Sequence, residues 1–328
     1  MNLQFVIVLF LLVNIGCVEK INQKSSLKNK TDIENGVDPV NETGTEAETA
    51  GNESAQENSQ EGLISPEKSG KIYTLSLSKS RLYDPLQMKE RGYEASVLVK
   101  RSLSKFSNVD ALLLAEGIYK PEDYLQSNVD QLVDREKMQQ YFMRYKLNAE
   151  RTDSLIIYTH THGTSGNYNN SGLFVEYPDN GTDGILYWQN YAEKLISLPG
   201  KNIIVFTMSC YSGKLIEYLN LPKVKERWKL KFEAEKRNLM VISVTNSQLK
   251  SHPVLINGVK INPLTYAVKE AFNGAADGFN AEKDGKLTLG ELARFVLYTT
   301  KNVAPDTNTA RPMITGTFNG NFVLNLEK

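Results

Sequence analysis

Two apolar runs in the chain each end in residues that could carry out acyl-transfer chemistry. Leu155–Tyr158 leads into His160 and His162, and Ile203–Phe206 leads into Cys210, 48 residues after His162. A sulfur exposed where a strand turns into a loop can act as a nucleophile, and an imidazole can carry a proton near neutral pH. Because both sites directly follow apolar runs, we expect them at one rim of a sheet, positioned for covalent catalysis.

Backbone groups beside this pair could stabilise the negative oxygen that forms during acyl transfer. Gly163 follows His162 and has no β-carbon, so its amide can come close to such an oxygen. We expect the amide of Cys210 to supply a second hydrogen-bond donor. The third histidine of the chain, His252, precedes Pro253 and is expected in an exposed loop.

The segments that must position these residues alternate between strand and helix patterns. Predicted strands cover 71–77, 110–115, 154–160, 202–208, 238–244 and 322–325, and predicted helices cover 86–106, 129–147, 186–198, 264–272 and 288–299. Several of the strands are continuously apolar, which is typical of strands buried on both faces. The sequence therefore predicts an α/β fold with a mostly parallel sheet covered by helices on both faces.

Segments around the two sites resemble caspase-like and legumain-like cysteine peptidases of the bacterial caspase-homologue type. Asp153–Gly163 is similar to their strand that ends in His-Gly, and Ile203–Gly213 is similar to their nucleophile strand. Further likenesses follow in chain order at Lys71–Leu77, Met240–Ser247, Leu264–Val268 and Arg311–Gly316. The resemblance covers most of residues 71–328 and implies a caspase-like three-layer sandwich.

The same resemblance implies that the chain is a cysteine endopeptidase. Such an enzyme acts on a peptide or protein substrate and requires no cofactor. In it, Cys210 is the nucleophile and His162 the general acid and base. Met208 occupies a place where family members usually carry Asp, Glu or Gln, in or near the primary specificity pocket. A thioether does not bind a charged side chain, so the sequence supports no preference for Arg, Lys or Asp. Further substrate-binding candidates are Thr245, Asn246, Ser247 and Arg91, the last of which is alternatively a solvated helix residue.

Other interpretations of the same residues stay open. A lone cysteine at a strand end is often a small buried hydrophobic residue. The chain would then be a catalytically inactive caspase-like surface lipoprotein that binds peptide or a protein partner. If an amine intercepted the acyl-enzyme, the chain would instead be a legumain-type transpeptidase. His160 and His162 would share one face of a strand and could ligate zinc, although no third ligand is evident nearby.

A loop near the C-terminus has the spacing of a calcium-binding loop. Counted from Asn280, the positions expected to supply oxygen ligands hold Glu282, Asp284 and Glu291. The position expected for the glycine turn holds Gly285. The first position lacks the usual Asp. Thr288 and Glu291 also have the spacing of a helix capping box. The sequence therefore allows either a Ca²⁺ site or a glycine turn followed by a helix cap, and it favours the cap.

The N-terminal residues carry targeting information. Residues 1–16 include the unbroken apolar run Phe5–Val13, which is too short to span a membrane and is typical of an export signal. Gly16 followed by Cys17 resembles the end of a bacterial lipoprotein signal, and this resemblance implies lipidation of Cys17. An ordinary cleaved signal is the alternative. We expect an exported protein, anchored by lipid to a bacterial membrane on its periplasmic or surface side.

Composition divides the remainder of the chain. Residues 17–70 contain eleven acidic and five basic side chains and no aromatic residue, which predicts a disordered acidic tether. Residues 71–328 are then the peptidase domain. The whole chain has 38 basic and 38 acidic residues, a balance that argues against a nucleic-acid partner. Its two cysteines exclude a disulfide-rich scaffold.

Overall fold

The computed structural model describes residues 70–79, 91–115, 130–132, 134–175, 184–280, 282–303 and 310–327. The predicted signal at 1–16, the predicted lipidation site Cys17 and the predicted tether up to residue 69 lie outside these ranges. Within the described ranges, no helix has the length and apolar character needed to cross a membrane.

A seven-stranded sheet forms the centre of the fold. Numbered along the chain, the strands are β1 (Ile72–Lys79), β2 (Val109–Ala115), β3 (Gln131–Leu132), β4 (Ser154–Thr161), β5 (Gly172–Phe174), β6 (Ile185–Tyr187), β7 (Asn202–Met208), β8 (Asn238–Ser243), β9 (Val254–Ile256), β10 (Val259–Ile261), β11 (Leu287–Thr288), β12 (Met313–Thr317) and β13 (Val323–Leu324). The central sheet has the order β12-β8-β7-β4-β1-β2-β3 and is antiparallel only between β12 and β8. The other strands form three two-stranded sheets, β5 with β6, β9 with β10 and β11 with β13.

Helices cover both faces of this sheet. They are α1 (Arg91–Leu103), α2 (Arg135–Asn148), α3 (Trp188–Ser197), α4 (Gly213–Leu219), α5 (Pro222–Ala234), α6 (Pro263–Glu270) and α7 (Leu289–Asn302), with a π-helical turn at Ala271–Ala275 after α6. Side chains alternate across each strand, so Leu155 and Ile157 of β4 join a core with α2, α3, α4 and α5. Ile156 and Tyr158 join the opposite core with α1, α6 and α7. We call these the α3 face and the α6 face.

The predicted α/β class, with a mostly parallel sheet between two helical layers, is therefore confirmed. The predicted strands at 71–77, 110–115, 154–160, 202–208 and 238–244 correspond to β1, β2, β4, β7 and β8. Continuous apolar runs identify them because these strands are buried on both faces. The predicted last strand, 322–325, contains β13, but β13 pairs with β11 and the edge of the central sheet is β12.

Candidate active site

The predicted nucleophile and proton carrier follow the ends of two neighbouring strands, β7 and β4. The two strands are parallel neighbours, paired in register from Ser154 with Asn202 to His160 with Met208. His162 and Cys210 each lie two residues beyond that last pair. Strands paired in this way are about 4.8 Å apart, and side chains two residues apart share a face. The register therefore directs His162 and Cys210 to one rim, at the carboxyl ends of neighbouring strands.

The two strand ends also touch directly. A β-carbon added at Gly163 would lie 2.0 Å from the carbonyl oxygen of Cys210 and 3.2 Å from Ser209 Oγ. Only a glycine fits at this position, because any side chain would overlap the backbone of the neighbouring turn. The residue after His162 is thus in contact with Cys210 itself.

A short antiparallel bridge holds the His162 segment after β4 has ended. Gly163 pairs with Leu173 of β5, and the amide of Phe174 donates to the carbonyl of His162 at 3.0 Å. The amide of Thr164 donates to the carbonyl of Gly172, also at 3.0 Å. These two hydrogen bonds lie on either side of the pair formed by Gly163 and Leu173. The amide of Gly163 therefore points away from β5. That amide has the orientation needed to reach a group outside the bridge.

The Cys210 turn is a strained and well-anchored corner. Cys210 is partly exposed and carries a thiol rather than half of a disulfide. Tyr211 follows it with φ of 60°, a left-handed conformation that is unfavourable for a bulky residue. The amide of Tyr211 donates to the carbonyl of Leu249 at 2.8 Å, and Cys210 Sγ lies 3.9 Å from the carbonyl oxygen of Ser251.

The loop after β8 packs against the Cys210 turn. Thr245 is fully buried, and its hydroxyl lies 3.3 Å from Ser212 Oγ and 3.4 Å from the carbonyl oxygen of Ser209. Ser247 is also buried, whereas Asn246 is partly exposed. The side chains of Thr245 and Ser247 are thus enclosed, and their role in substrate binding stays a prediction. Among these three candidates, Asn246 alone reaches the surface.

Met208, the candidate for the specificity pocket, is the last residue of β7. Its side chain is 6% exposed and belongs to the core of the α6 face, so it lies beneath the rim and does not project from it. Its sulfur accepts a hydrogen bond from Ser251 Oγ at 3.5 Å. Arg91, the remaining substrate-binding candidate, is the first residue of α1.

His160 is partly exposed and lies on the α6 face, two residues before His162. Its Nδ1 is 3.3 Å from the hydroxyl of Tyr158, which in turn lies 2.6 Å from Thr265 Oγ1. Burial of the ring, with the neighbouring His162 as a smaller cause, lowers the pKa of His160 to about 3. The imidazole is therefore neutral at physiological pH. No three His, Cys, Asp or Glu side chains in the described part of the chain form a metal-binding group, so the zinc alternative finds no third ligand.

The loop with calcium-binding spacing is organised by a helix cap. Glu291 is buried, and its Oε2 accepts hydrogen bonds from the amide and the hydroxyl of Thr288 at 2.9 and 2.8 Å. Its Oε1 accepts from the amide of Gly278 at 3.0 Å. Thr288 caps the start of α7 in return, which completes the capping box. The remaining proposed ligands, Asn280, Glu282 and Asp284, are exposed. The structure therefore has the cap, and Glu291 is used by it.

Several residues that contact the site have no signal in the sequence that would identify them. Leu249 and Ser251 belong to the irregular loop after β8, and Tyr158 and Thr265 belong to regular elements with no chemical motif. Their contacts join segments far apart in the chain, 107 residues in the case of Tyr158 and Thr265. The exposed position predicted for His252 is confirmed.

Comparison with known proteins gives similarity at the level of structure only. No protein-family model and no curated protein matches the chain. Among solved structures, protein GSU0716 from Geobacter sulfurreducens is 13% identical with a TM-score of 0.49, covering 79% of this chain and all of that one. Caspase-1 from Spodoptera frugiperda is 14% identical with a TM-score of 0.45, covering 79% of this chain and 91% of that one.

Proposed function

We propose that the chain is a cysteine peptidase of caspase-like fold that cleaves peptide bonds with Cys210 and His162. The proposal is supported chiefly by the register of β4 and β7, in which both residues lie two positions beyond the same terminal pair. Contact between Gly163 and the Cys210 backbone keeps the two strand ends together. A thiol and an imidazole at one rim, both partly exposed, are the minimum equipment for acyl transfer.

In the first half of the reaction, the Cys210 sulfur attacks the carbonyl carbon of the substrate peptide bond. The thiol proton passes to His162, which then gives it to the leaving amine as the carbon–nitrogen bond breaks. The product is a thioester between Cys210 and the acyl part of the substrate. In the second half, His162 takes a proton from water, the resulting hydroxide attacks the thioester, and the proton returns to the sulfur as the acid leaves.

The negative oxygen formed in each half would be stabilised by backbone amides. The amide of Gly163 points away from β5 and follows the residue that carries the proton. The amide of Cys210 is the second proposed donor, as in other acyl-transfer sites built on a strand end. Donors that are already in place stabilise the negative oxygen without any rearrangement during the reaction. The tight contact at Gly163 would hold one such donor in place.

Covalent labelling tests the proposal. Wild-type protein should react with peptidyl acyloxymethyl ketone or epoxide probes at Cys210, and Cys210→Ala should abolish labelling. His162→Gln should slow labelling strongly while leaving the thermal unfolding transition in place, because the thiol loses its proton acceptor. A mixed peptide library then measures turnover. Absence of both labelling and cleavage in the wild type would overturn the proposal, and peptide binding without cleavage would point to the catalytically inactive alternative.

We also propose that the enzyme is exported and anchored to a bacterial membrane through Cys17. This part rests on the sequence alone, namely the apolar run Phe5–Val13 that ends shortly before Gly16 and Cys17. The acidic segment that follows would separate the anchor from the peptidase domain.

A further inference from the structure

One buried side chain links the start of α6 to the Cys210 turn. Asn262, 3% exposed, accepts a hydrogen bond at Oδ1 from the amide of Leu264 and so caps the helix. Its Nδ2 donates to Ser251 Oγ at 2.6 Å. Ser251 contacts both sulfur atoms of the site, with its carbonyl oxygen 3.9 Å from Cys210 Sγ and its hydroxyl 3.5 Å from Met208 Sδ. The residue against the nucleophile is therefore held by the helix cap.

A second buried chain of hydrogen bonds links the same helix turn to the His162 strand. Thr265 is fully buried, and its hydroxyl lies 2.6 Å from the Tyr158 hydroxyl, which lies 3.3 Å from His160 Nδ1. A neutral imidazole is matched when Thr265 donates to Tyr158 and Tyr158 donates to Nδ1. His160 precedes His162 by two residues at the end of β4, so this chain fixes the strand end that carries the proton-transfer group.

The two links start from neighbouring positions on one rigid element. Asn262 and Thr265 are three residues apart and therefore lie on the same side of the first turn of α6. Leu264 and Val268, both fully buried, pack α6 into the core beneath the site. Because buried polar groups are costly to leave unpaired, other arrangements of these side chains are unfavourable.

We propose that the first turn of α6, through Asn262 and Thr265, sets the position of Cys210 relative to His162. These are positioning residues, since neither is placed against the reacting atoms. The inference rests on the proposed function for its kinetic consequences, but the relative position of the sulfur and the imidazole can be measured without any turnover.

The kinetic test compares variants that remove one hydrogen-bonding group each. Thr265→Val and Tyr158→Phe keep the shape of the side chain, and Asn262→Ser keeps a helix cap but cannot reach Ser251. Each should lower kcat for peptide cleavage about tenfold, with KM within about twofold of wild type, because a misplaced pair slows chemistry more than binding. Thr265→Ser keeps the hydroxyl and should therefore have the kcat of wild type.

The matched control is Thr300→Val. Thr300 of α7 is also fully buried, and its hydroxyl has no hydrogen-bond partner among the described residues. This variant should have the kcat and KM of wild type. If Thr265→Val, Tyr158→Phe and Asn262→Ser matched Thr300→Val in kcat and in the measurement below, the inference would be wrong.

Bridging by 1,3-dibromoacetone measures the geometry independently of activity. The reagent alkylates the Cys210 sulfur with loss of one bromide, and the attached bromomethyl ketone alkylates the His162 ring with loss of the second. Peptide mapping should find this bridge in wild type and Thr300→Val, none in His162→Gln, and several-fold less in Thr265→Val and Asn262→Ser, with singly alkylated Cys210 instead. Normal bridging without peptide cleavage would refute the proposed function and leave this inference intact. Absence of the bridge in wild type would overturn the inference.

Discussion

The α-carbon of Gly163 lies against the carbonyl oxygen of Cys210, so closely that a β-carbon at Gly163 would be 2.0 Å from that oxygen. The colliding atom belongs to the backbone, and no rotation of a side chain can relieve the overlap. Gly163 is therefore required by a close approach between two strand ends, each of which carries one proposed catalytic residue. The distance between those residues is set by backbone contact as well as by strand pairing.

Gly163→Ala should strongly reduce the proposed peptidase activity without unfolding the protein. The added methyl group must push the His162 segment away from the Cys210 turn, and a displacement of about 1 Å at reacting groups can cost about 100-fold in rate. We expect kcat/KM to fall by about that factor or more in a peptide-cleavage assay, with an unchanged circular dichroism spectrum.

Gly320→Ala is the matched control for this substitution. A β-carbon at Gly320 would be 3.8 Å from the α-carbon of Gly290, an ordinary contact distance, so activity should stay at the wild-type level. Equal activity in Gly163→Ala and Gly320→Ala would show that the contact with Cys210 does not determine the geometry of the site.

Glu291 should stabilise the fold without calcium. Its carboxylate accepts hydrogen bonds from the amide of Gly278 and from the amide and hydroxyl of Thr288, all in a buried position. Glu291→Gln places an amide NH₂ where a donor is already present, and we expect the free energy of unfolding to fall by about 1–3 kcal/mol in urea. The exposed Glu282→Gln should have no such effect. Millimolar Ca²⁺ should leave Tm unchanged, and a rise in Tm that Glu291→Gln abolishes would restore the calcium interpretation.

The strands that lead to the two catalytic candidates could be predicted from the sequence, whereas the register between those strands is known only from the structure. From Ser154 with Asn202 to His160 with Met208, residues of β4 pair with residues of β7 that lie 48 positions later. Cys210 follows His162 by the same interval. Apolar runs that are buried on both faces made these strands recognisable, and parallel neighbours necessarily end at the same rim.

The surroundings of the pair could not be predicted in the same way. The resemblance to the peptidase family makes Met208 and Thr245 substrate-binding candidates, but the depth at which a side chain lies depends on what packs above it. Here the loop containing Ser251 covers Met208 and contacts Cys210. Hydrogen bonds such as that between Tyr158 and Thr265 join distant segments and leave no periodic pattern in the sequence.

Cys17→Ser should release the full-length protein from membranes. If Cys17 carries the lipid, wild-type protein made in a bacterial host that processes lipoproteins should partition into the detergent phase of a Triton X-114 extract, and the variant into the aqueous phase. Peptidase activity should be the same in both, because the change lies far along the chain from residue 162 or 210. Aqueous partitioning of the wild type would favour an ordinary cleaved signal.

His160 should make the fold less stable in acid. Burial, and secondarily the nearby His162, lowers the pKa of His160 to about 3, against 6.5 for an unperturbed histidine. Below about pH 6.5 the unfolded chain binds a proton that the folded chain does not, so the free energy of unfolding falls as the pH drops toward 3. At pH 4.5 this residue should account for a loss of about 2–3 kcal/mol relative to pH 8. Urea unfolding of His160→Asn should lack that part of the loss, whereas His252→Asn should retain it. Equal acid sensitivity in wild type and His160→Asn would show that His160 takes up its proton in the folded protein.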